Sequence, residues 1–444
     1  MRKASLYLVL YIQTFVRRHK SQLGFSILIG FFLTLFLFQI YPLLSAHLVR
    51  KHETVGIIGL YSWSNLPLPI LSKISFGLTS LDSDGQATQG AAASWEVVNN
   101  LIYTFHLKPN LNWHDGSNFI AGDINYKIKG AKISVVDNYT LKIEIKEPFS
   151  PLTVFLSSPL MKDKFIGLGP YKVVRVIYNN DNKISELTLL PFERKQSTIT
   201  YKFYKNLEGA LIGFKLGEVA SLENIDTKDN FALWKNLNLE ERSDYSRIIS
   251  LFYNFKDERL KEKEIRQALA YAIPTVENFD RAASPISPFS WAYSQKVRLY
   301  KYDLETAKKI LSKSPLASSS SELILTTQPS QLKSAQLIVD AWNKIGVNSR
   351  VKVDSTIPAD FQILLRSLPI PPDPDQYLYW QSTQENTNIS NYSSPKIDKL
   401  LEDGRKTLDI DARKKIYSDF QFYLVDDAPA IFLYYPKLYT IKRK

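Results

Sequence analysis

The sequence contains no cysteine, and this absence excludes three kinds of structure. Disulfide frameworks and zinc sites built from thiolates both require cysteine side chains. A lipid-modified cysteine is excluded as well. Any attachment of this chain to a membrane must therefore be made by the polypeptide itself.

Histidine is scarce, and the usual catalytic motifs are missing. Of five histidines, His106 and His114 are the two that lie well beyond the N-terminal segment. We find no HExxH zinc helix, no phosphate-binding glycine loop and no GxSxG elbow. Because hydrolysis needs a nucleophile with a base held close to it, we expect no enzymatic activity, no metal and no cofactor.

A long stretch without charge is present near the N-terminus. Residues 23–49 carry no formal charge, and a helix of that length, at 1.5 Å per residue, exceeds a hydrocarbon core of roughly 30 Å. We predict an uncleaved transmembrane anchor; the alternative, a cleaved signal peptide, has a shorter apolar core and a better cleavage site. Arg17, Arg18 and Lys20 precede the run, so the positive-inside rule predicts a cytoplasmic basic tail at 1–22 and an extracytoplasmic remainder.

The excess of positive charge belongs mostly to this N-terminal part. The formal net charge is +12, but residues 1–52 hold seven Lys or Arg and no acid, which leaves about +5 for the rest. A nucleic-acid partner is therefore not expected.

From residue 54 the pattern alternates between strands and helices. Paired alternating runs predict hairpins around Asn99 and Asn100 and over residues 179–182, and RIISLFYNF predicts a buried strand. Apolar spacing predicts helices in EIRQALAYAI and ARKKIYSDFQFYLVDD, and SKISFGLTSL is predicted as a helix that ends in a turn. Two mixed α/β lobes follow from this order of elements.

The stretch NWHDGSNF places a tryptophan, a histidine and an aspartate beside a turn glycine. We interpret it as structural: Trp113 packs under the preceding hairpin and Asp115 caps the turn. The alternative is a catalytic role for His114.

Several segments, in order, resemble the extracytoplasmic solute-binding proteins of peptide and nickel ABC importers. The segment ASWEVVNNLIYTFHLKPNLNWHDGSNFIAGDINY carries the resemblance most clearly. It is followed in register by GLGPYKV, LGEVA, FYNFKDERLKEKEIRQALAYAI, YDLETAKKIL, DPDQYL and DDAPAIFLYY. The similarity extends over about residues 54–435.

The resemblance implies an α/β, two-lobe fold like that of the periplasmic binding proteins, of type II and the peptide-binding class, preceded here by the transmembrane helix. We expect a first lobe at 54–246 with a reduced subdomain, a second lobe at 247–435, and a C-terminal return to the first lobe at 436–444. It also implies a peptide or small polar solute as ligand and an ABC permease as partner.

The chain departs from this family at one position that concerns the ligand. Peptide-binding relatives carry an aspartate for the ligand's α-ammonium three residues before an aspartate-proline pair, and the corresponding residue here is Ile370. A buried ammonium without a counter-ion is costly. Free-amine peptides are therefore not expected unless Asp373, Asp375 or Asp360 substitutes.

The resemblance also implies which residues line the cleft. Three follow the first strand, two follow LGEVA, one lies in the short loop SPISPFSWAYS, two flank the proline-rich turn and two end the last strand. These are Tyr61, Ser62, Trp63, Glu223, Asn224, Trp291, Asp373, Trp380, Tyr434 and Tyr435. The alternative for each is an ordinary core or surface residue.

We therefore expect a membrane-anchored solute-binding protein that captures a peptide or other small polar solute between two lobes and delivers it to a permease. The alternative is a ligand-sensing or structural lobe pair that signals to a membrane partner.

Overall fold

A computed structural model describes residues 11, 14, 16–48, 50–228, 231, 234, 236–313, 322–356, 358 and 360–443. Within the first helix, the side chains of residues 23, 24, 27, 37 and 40–48 are not described. Most of the predicted tail at 1–22, and residue 49 of the predicted span, lie outside the described residues.

Helices and strands are numbered separately along the chain. The helices are α1 Lys20–Leu48, α2 Leu68–Ile74, α3 Leu152–Phe155, α4 Leu207–Leu216, α5 Lys263–Tyr271, α6 Leu304–Leu311, α7 Leu332–Lys344, α8 Tyr377–Trp380, α9 Pro395–Lys406 and α10 Ile410–Asp427. The strands are β1 His52–Ile58, β2 Thr79–Leu81, β3 Ala87–Gln89, β4 Ala92–Val98, β5 Ile102–Leu107, β6 Ala131–Asp137, β7 Thr140–Ile145, β8 Tyr171–Tyr178, β9 Ile184–Pro191, β10 Thr198–Tyr204, β11 Ser221–Ile225, β12 Leu237–Ser243, β13 Arg247–Tyr253, β14 Leu323–Thr327, β15 Ser349–Val353, β16 Ile363–Pro369, β17 Ala430–Tyr434 and β18 Lys437–Arg443.

Helix α1 covers most of the uncharged run, and its described phenylalanines are exposed, with Phe38 at 85%. Among the described residues, no helix meets the length and apolarity required to cross a membrane.

A seven-stranded sheet forms the base of the first lobe, in the order β12-β18-β11-β1-β10-β9-β8. The first strand, β1, is parallel to both of its neighbours, and Val55, Gly56 and Ile57 at its centre are all buried. The C-terminal strand β18 lies in this sheet, between β11 and β12.

A separate four-stranded sheet, β4-β5-β7-β6, forms a subdomain of the first lobe. Its central strand β5 alternates, so Tyr103, Phe105 and Leu107 are almost fully buried. The predicted turn at Asn99 and Asn100 is confirmed, since both residues have positive φ (51° and 57°), as a tight hairpin with asparagines there requires.

The second lobe is built on a five-stranded sheet in the order β15-β14-β16-β13-β17. Strand β13 is buried on both faces from Ile248 to Tyr253, which confirms the buried strand predicted from its continuous apolar run. Helices α5 and α10 follow the predicted segments closely and contribute the buried Leu269 and Phe420 to its core.

Two short crossovers join the lobes, at residues 244–246 and 435–436. They are bonded to each other, because the Asp244 amide donates to the Pro436 carbonyl at 2.8 Å. The Tyr245 ring contacts the Tyr435 ring with centroids 4.8 Å apart. Rotation about this pair of segments would move one lobe relative to the other.

The helix predicted in SKISFGLTSL was wrong in position. Helix α2 begins earlier, at Leu68 after Pro67, and ends at Ile74, and the last three residues of the segment are the strand β2. The backbone is already extended at Ser75. At Gly77 it passes closely against another segment, since a Cβ there would lie 2.4 Å from the Leu156 carbonyl oxygen.

Candidate functional site

A cavity of about 900 Å³ lies between the two lobes. The apolar side chains on its first-lobe wall are Leu68, Phe76, Leu81, Phe149, Val154 and Phe155, and those on its second-lobe wall are Ile370, Leu378 and Tyr379. Pro151 and Pro159 complete the first wall, and Pro369, Pro371 and Pro372 complete the second. This volume is within the usual range for small-molecule sites, roughly 300–1,000 Å³.

Large apolar side chains remain exposed on both walls. Leu68 is 58% exposed, Phe155 45% and Leu378 52%. Exposed apolar surface that is gathered in one concave place marks a binding region more often than scattered single residues do. The cleft is therefore the strongest candidate site in the described part of the chain.

Local structure holds each wall in place. On the first lobe, the Tyr126 hydroxyl donates to the Leu156 carbonyl at 2.8 Å and accepts from the Leu78 amide at 3.0 Å, which ties the segment of α3 to β2. On the second lobe, the proline-rich turn after β16 carries Ile370, whose amide donates to the Ser246 carbonyl of the crossover at 2.7 Å. The cleft wall and the crossover are thus directly bonded.

The described charged residues that line the cavity are Asp373, Asp375 and Arg405, and each has a partner of opposite charge. Asp373 accepts from the two Nη atoms of Arg413 at 2.8 and 3.3 Å, and both side chains are under 10% exposed. Asp375 accepts from Nε of Arg405 at 2.8 Å. Two carboxylates therefore lie at the cleft, but both are neutralised by the protein.

Burial and charge act in opposite directions on these groups. Burial by itself would lower the pKa of Arg413, but the Asp373 carboxylate beside it raises that pKa above its usual range. Burial raises the pKa of Asp375, and the charge of Arg405 offsets part of the rise. Arg405 also stacks over Tyr377 at 3.9 Å and lies 5.4 Å from the Phe149 ring centroid.

A smaller chamber of about 260 Å³ shares Val154 and Asp373 with the cleft. Trp95, Tyr103, Trp291 and Arg413 are among its walls. The Tyr103 hydroxyl is buried and has no hydrogen-bond partner among the described residues, and burial raises the pKa of Tyr103 to about 12.

The two lobes touch directly beside the cleft. Ser150 of the first lobe donates its amide to the Arg405 carbonyl at 2.7 Å and its hydroxyl to the Gly404 carbonyl at 2.9 Å. On another side, the Trp291 amide donates to the Asp84 carbonyl at 3.2 Å. The second-lobe end of α9 and the loop of Trp291 therefore form the contact surface for the first lobe.

Comparison with known proteins identifies the family. The model of the bacterial extracellular solute-binding proteins, family 5 (its middle region), matches residues 86–388. The chain belongs to this family. The resemblance inferred from the ordered sequence segments is thereby confirmed.

Relatives of this solute-binding protein are distant but match most of their length. The oligopeptide-binding protein AppA of Bacillus subtilis (strain 168) is 23% identical, with 86% of each chain covered. The dipeptide-binding protein of Escherichia coli (strain K12) is 22% identical, with 80% of this chain and 82% of that protein covered. The relatives named here are binding proteins, not enzymes.

Solved structures share the fold. NikZ of Campylobacter jejuni, determined in complex with Ni(L-His), superposes with a TM-score of 0.72 at 21% identity, covering 89% of this chain and 95% of that one. The ABC transporter substrate-binding protein CtaP of Listeria monocytogenes gives a TM-score of 0.75 at 22% identity, covering 89% and 94%. The α/β two-lobe fold expected from the sequence is confirmed.

The WHDG turn of this solute-binding protein is structural. Trp113 is buried and its Nε1 donates to Asp123 at 2.9 Å, and Asp115 accepts from the Ser117 amide at 3.0 Å. His114 contacts the Gly169 carbonyl at 2.9 Å, and burial lowers the pKa of its imidazole. No group of three or more metal-ligating side chains occurs among the described residues.

Two of the ten residues proposed from the sequence line the cleft or the chamber. Asp373 lines both the cleft and the chamber, and Trp291 lines the chamber, with the Arg413 guanidinium 5.2 Å from its ring centroid.

The other proposed first-lobe residues line neither cavity. Tyr61 contacts Phe203, with ring centroids 5.1 Å apart. Trp63 contacts Phe165 at 4.5 Å. Ser62 donates its amide to the Asn65 side chain.

Further along the first lobe, Glu223 is half-buried in β11, and burial raises the pKa of its carboxyl. Asn224 accepts a hydrogen bond from Arg242 at 2.8 Å.

The remaining proposed second-lobe residues are buried. Trp380 is 1% exposed and packs between Phe252 and Phe432. The Tyr434 hydroxyl is 2.8 Å from the Ser334 hydroxyl. Tyr435 is 2% exposed at the crossover.

The sequence reasoning missed the residues that form most of the cleft, in particular Phe149, Phe155, Leu378 and Arg405. It named Ile370 only as a position that lacks an acid, yet Ile370 is part of the wall. Of the acids considered as substitutes, Asp373 and Asp375 are paired with arginines, and Asp360 is exposed outside the cavity lining. In the sequence, segments of both cleft walls could have been recognised by apolar residues that lie next to prolines, in PFSPLTVF and LPIPPDPD.

Proposed function

We propose that this chain is a membrane-anchored extracytoplasmic binding protein of an ABC importer, which captures a peptide-like or other small solute between its lobes. The cleft of about 900 Å³, with walls from both lobes, carries the proposal. A solute that touches both walls favours the closed arrangement by its differential affinity. The similarity to an oligopeptide-binding protein and a dipeptide-binding protein supports a peptide-like ligand.

The anchor is the second part of the proposal. The run at 23–49 has no formal charge, and α1 exposes large apolar side chains along its described length. Such a surface is stabilised by surrounding lipid rather than by water. With cations before the run, the positive-inside rule orients the lobes outward, where a permease would receive the solute.

A substitution in the cleft tests solute capture. Leu378 is 52% exposed in the cleft, so Leu378→Arg adds a charge to the apolar wall with little effect on folding. Leu337 in α7 is 39% exposed and does not line the cavity, so Leu337→Arg is the matched control. The full chain is purified in lipid nanodiscs, and bound small molecules are identified by native mass spectrometry.

We expect a solute to be retained by the wild type and by Leu337→Arg and lost from Leu378→Arg. If no molecule is retained and no peptide raises the melting temperature of the wild type, the protein does not capture solutes in this cleft. For the anchor, extraction of cell membranes with carbonate should leave the full chain in the pellet, and release into the supernatant would contradict it.

A further inference from the structure

We infer that the part of the ligand enclosed by the cleft is uncharged and largely apolar, so that the preferred ligand is a peptide-like amide with a blocked amino terminus. This inference rests on the proposed function and specifies the ligand of the same site. It is carried by the charges and polar atoms of the cleft walls.

A cationic group of a ligand would find no free carboxylate among the described lining residues. An ammonium group that enters the cleft loses part of its hydration and needs a free carboxylate in return. The described lining offers two carboxylates, Asp373 and Asp375, and both are already paired with arginines. An entering ammonium would have to compete with a guanidinium held by two hydrogen bonds at Asp373.

An anionic group of a ligand would have to bind Arg405, which is the cation among the described lining residues. Its Nε is bonded to Asp375, and its guanidinium lies against the rings of Tyr377 and Phe149. The cleft therefore presents paired charges, which favours a neutral guest over either ion.

Serine hydroxyls in the cleft can bind neutral polar groups of a ligand. Ser72, Ser80 and Ser158 line the cleft, and within the described part of the chain their hydroxyls make no hydrogen bond. A hydroxyl donates and accepts, which suits the N–H and C=O groups of amides. The large apolar side chains on both walls provide the remaining contact area, so the lining matches an amide with apolar substituents.

The test uses two libraries of tetrapeptide amides that differ in one feature, a free or an acetylated amino terminus. The full chain in nanodiscs is incubated with equal amounts of both, and the retained peptides are counted by mass spectrometry, with empty nanodiscs as background. We expect acetylated peptides to be retained at least tenfold over their free-amine partners. Equal retention, or preference for the free amines, would overturn the inference and leave solute capture intact.

Two variants locate the preference in the cleft. Ile370 lines the wall and is 9% exposed, so Ile370→Asp introduces an unpaired carboxylate there, and Ile370→Asn has a similar shape without the charge. We expect Ile370→Asp to shift the ratio at least tenfold towards free amines and Ile370→Asn to leave it within about threefold of wild type. If Ile370→Asp folds, as judged by its melting temperature, and does not shift the ratio, the inference is wrong.

The two proposals fail in different ways. Retention of neither library contradicts peptide capture and the blocked-amine preference together. Retention of free amines contradicts the preference alone.

Discussion

The buried pair of Asp373 and Arg413 gives the sharpest prediction for stability. The substitution Asp373→Asn keeps the shape of the side chain and removes its charge. The Arg413 side chain is 6% exposed and that of Asp373 is 7%, so the guanidinium would be left without a counter-ion in a place that water barely reaches. Its Nε bond to the Gly404 carbonyl, at 3.0 Å, remains but does not neutralise it.

The expected loss can be worked out from this geometry. Two unit charges 4 Å apart attract by about 4 kcal/mol at an effective dielectric constant of 20, and this pair is closer than that. Removal of one partner from a buried pair costs about 3–5 kcal/mol. For a unit of 150–250 residues, each kcal/mol lowers the melting temperature by about 2–4 °C, so a decrease on the order of 10 °C is expected.

The assay is thermal unfolding of the full chain in nanodiscs, followed by tryptophan fluorescence, since Trp291 lies beside Arg413. Asp375→Asn is the comparison. Arg405, the partner of Asp375, is 25% exposed, and burial already raises the pKa of Asp375, so Asp375→Asn should lower the melting temperature less than Asp373→Asn does. The double variant Asp373→Leu, Arg413→Met should recover most of the loss. The reasoning is refuted if Asp373→Asn lowers the melting temperature by less than about 2 °C, or if the double variant is no more stable than the single one.

Substitutions at three further positions have defined outcomes. Because burial raises the folded-state pKa of Glu223 above its unfolded value, the charged form destabilises the fold at neutral pH. Glu223→Gln should therefore raise the melting temperature at pH 7, and this gain should vanish at about pH 4, where the carboxyl is protonated in both states. An unchanged melting temperature at pH 7 would contradict this. Gly77→Ala should lower the free energy of unfolding in urea by about 1–3 kcal/mol and weaken ligand binding, because the new Cβ would clash with the Leu156 carbonyl next to the cleft wall. Unchanged stability would contradict the close approach. Trp380→Ala should lower the free energy of unfolding by about 3–5 kcal/mol. Trp380→Phe should lower it far less, since the indole N–H has no partner in the described part of the chain; a change of ligand affinity in Trp380→Phe would instead indicate a ligand contact.

Local structure was predictable wherever one segment determined it. The hairpin at Asn99 and Asn100 follows from two residues that tolerate positive φ, and β13 follows from a continuous apolar run. The segment after helix α2 was mispredicted, and there Gly77 closely approaches Leu156, a contact between segments nearly 80 residues apart. No local pattern contains that contact.

The cleft was harder to predict for the same reason. Its walls combine residues 68–81, 149–159, 369–379 and Arg405, and their proximity depends on how the lobes meet. Aromatic residues at strand ends were proposed as ligand contacts, yet Tyr434 and Tyr435 are buried in the second lobe and the crossover. Asp373, which was proposed from its position beside the proline-rich turn, lines the cleft; its contact with a ligand stays a prediction.

Closure of the two lobes around a ligand is tested directly by one distance measurement. The chain has no cysteine, so Val136→Cys on the first lobe and Lys352→Cys on the second, both at exposed positions, provide two unique sites for spin labels. The distance between the labels is measured by pulsed electron paramagnetic resonance on the full chain in nanodiscs, without and with a saturating amount of the tightest acetylated peptide. We predict that the peptide converts a broad distance distribution into one narrow population; an unchanged distribution at saturation would contradict the account.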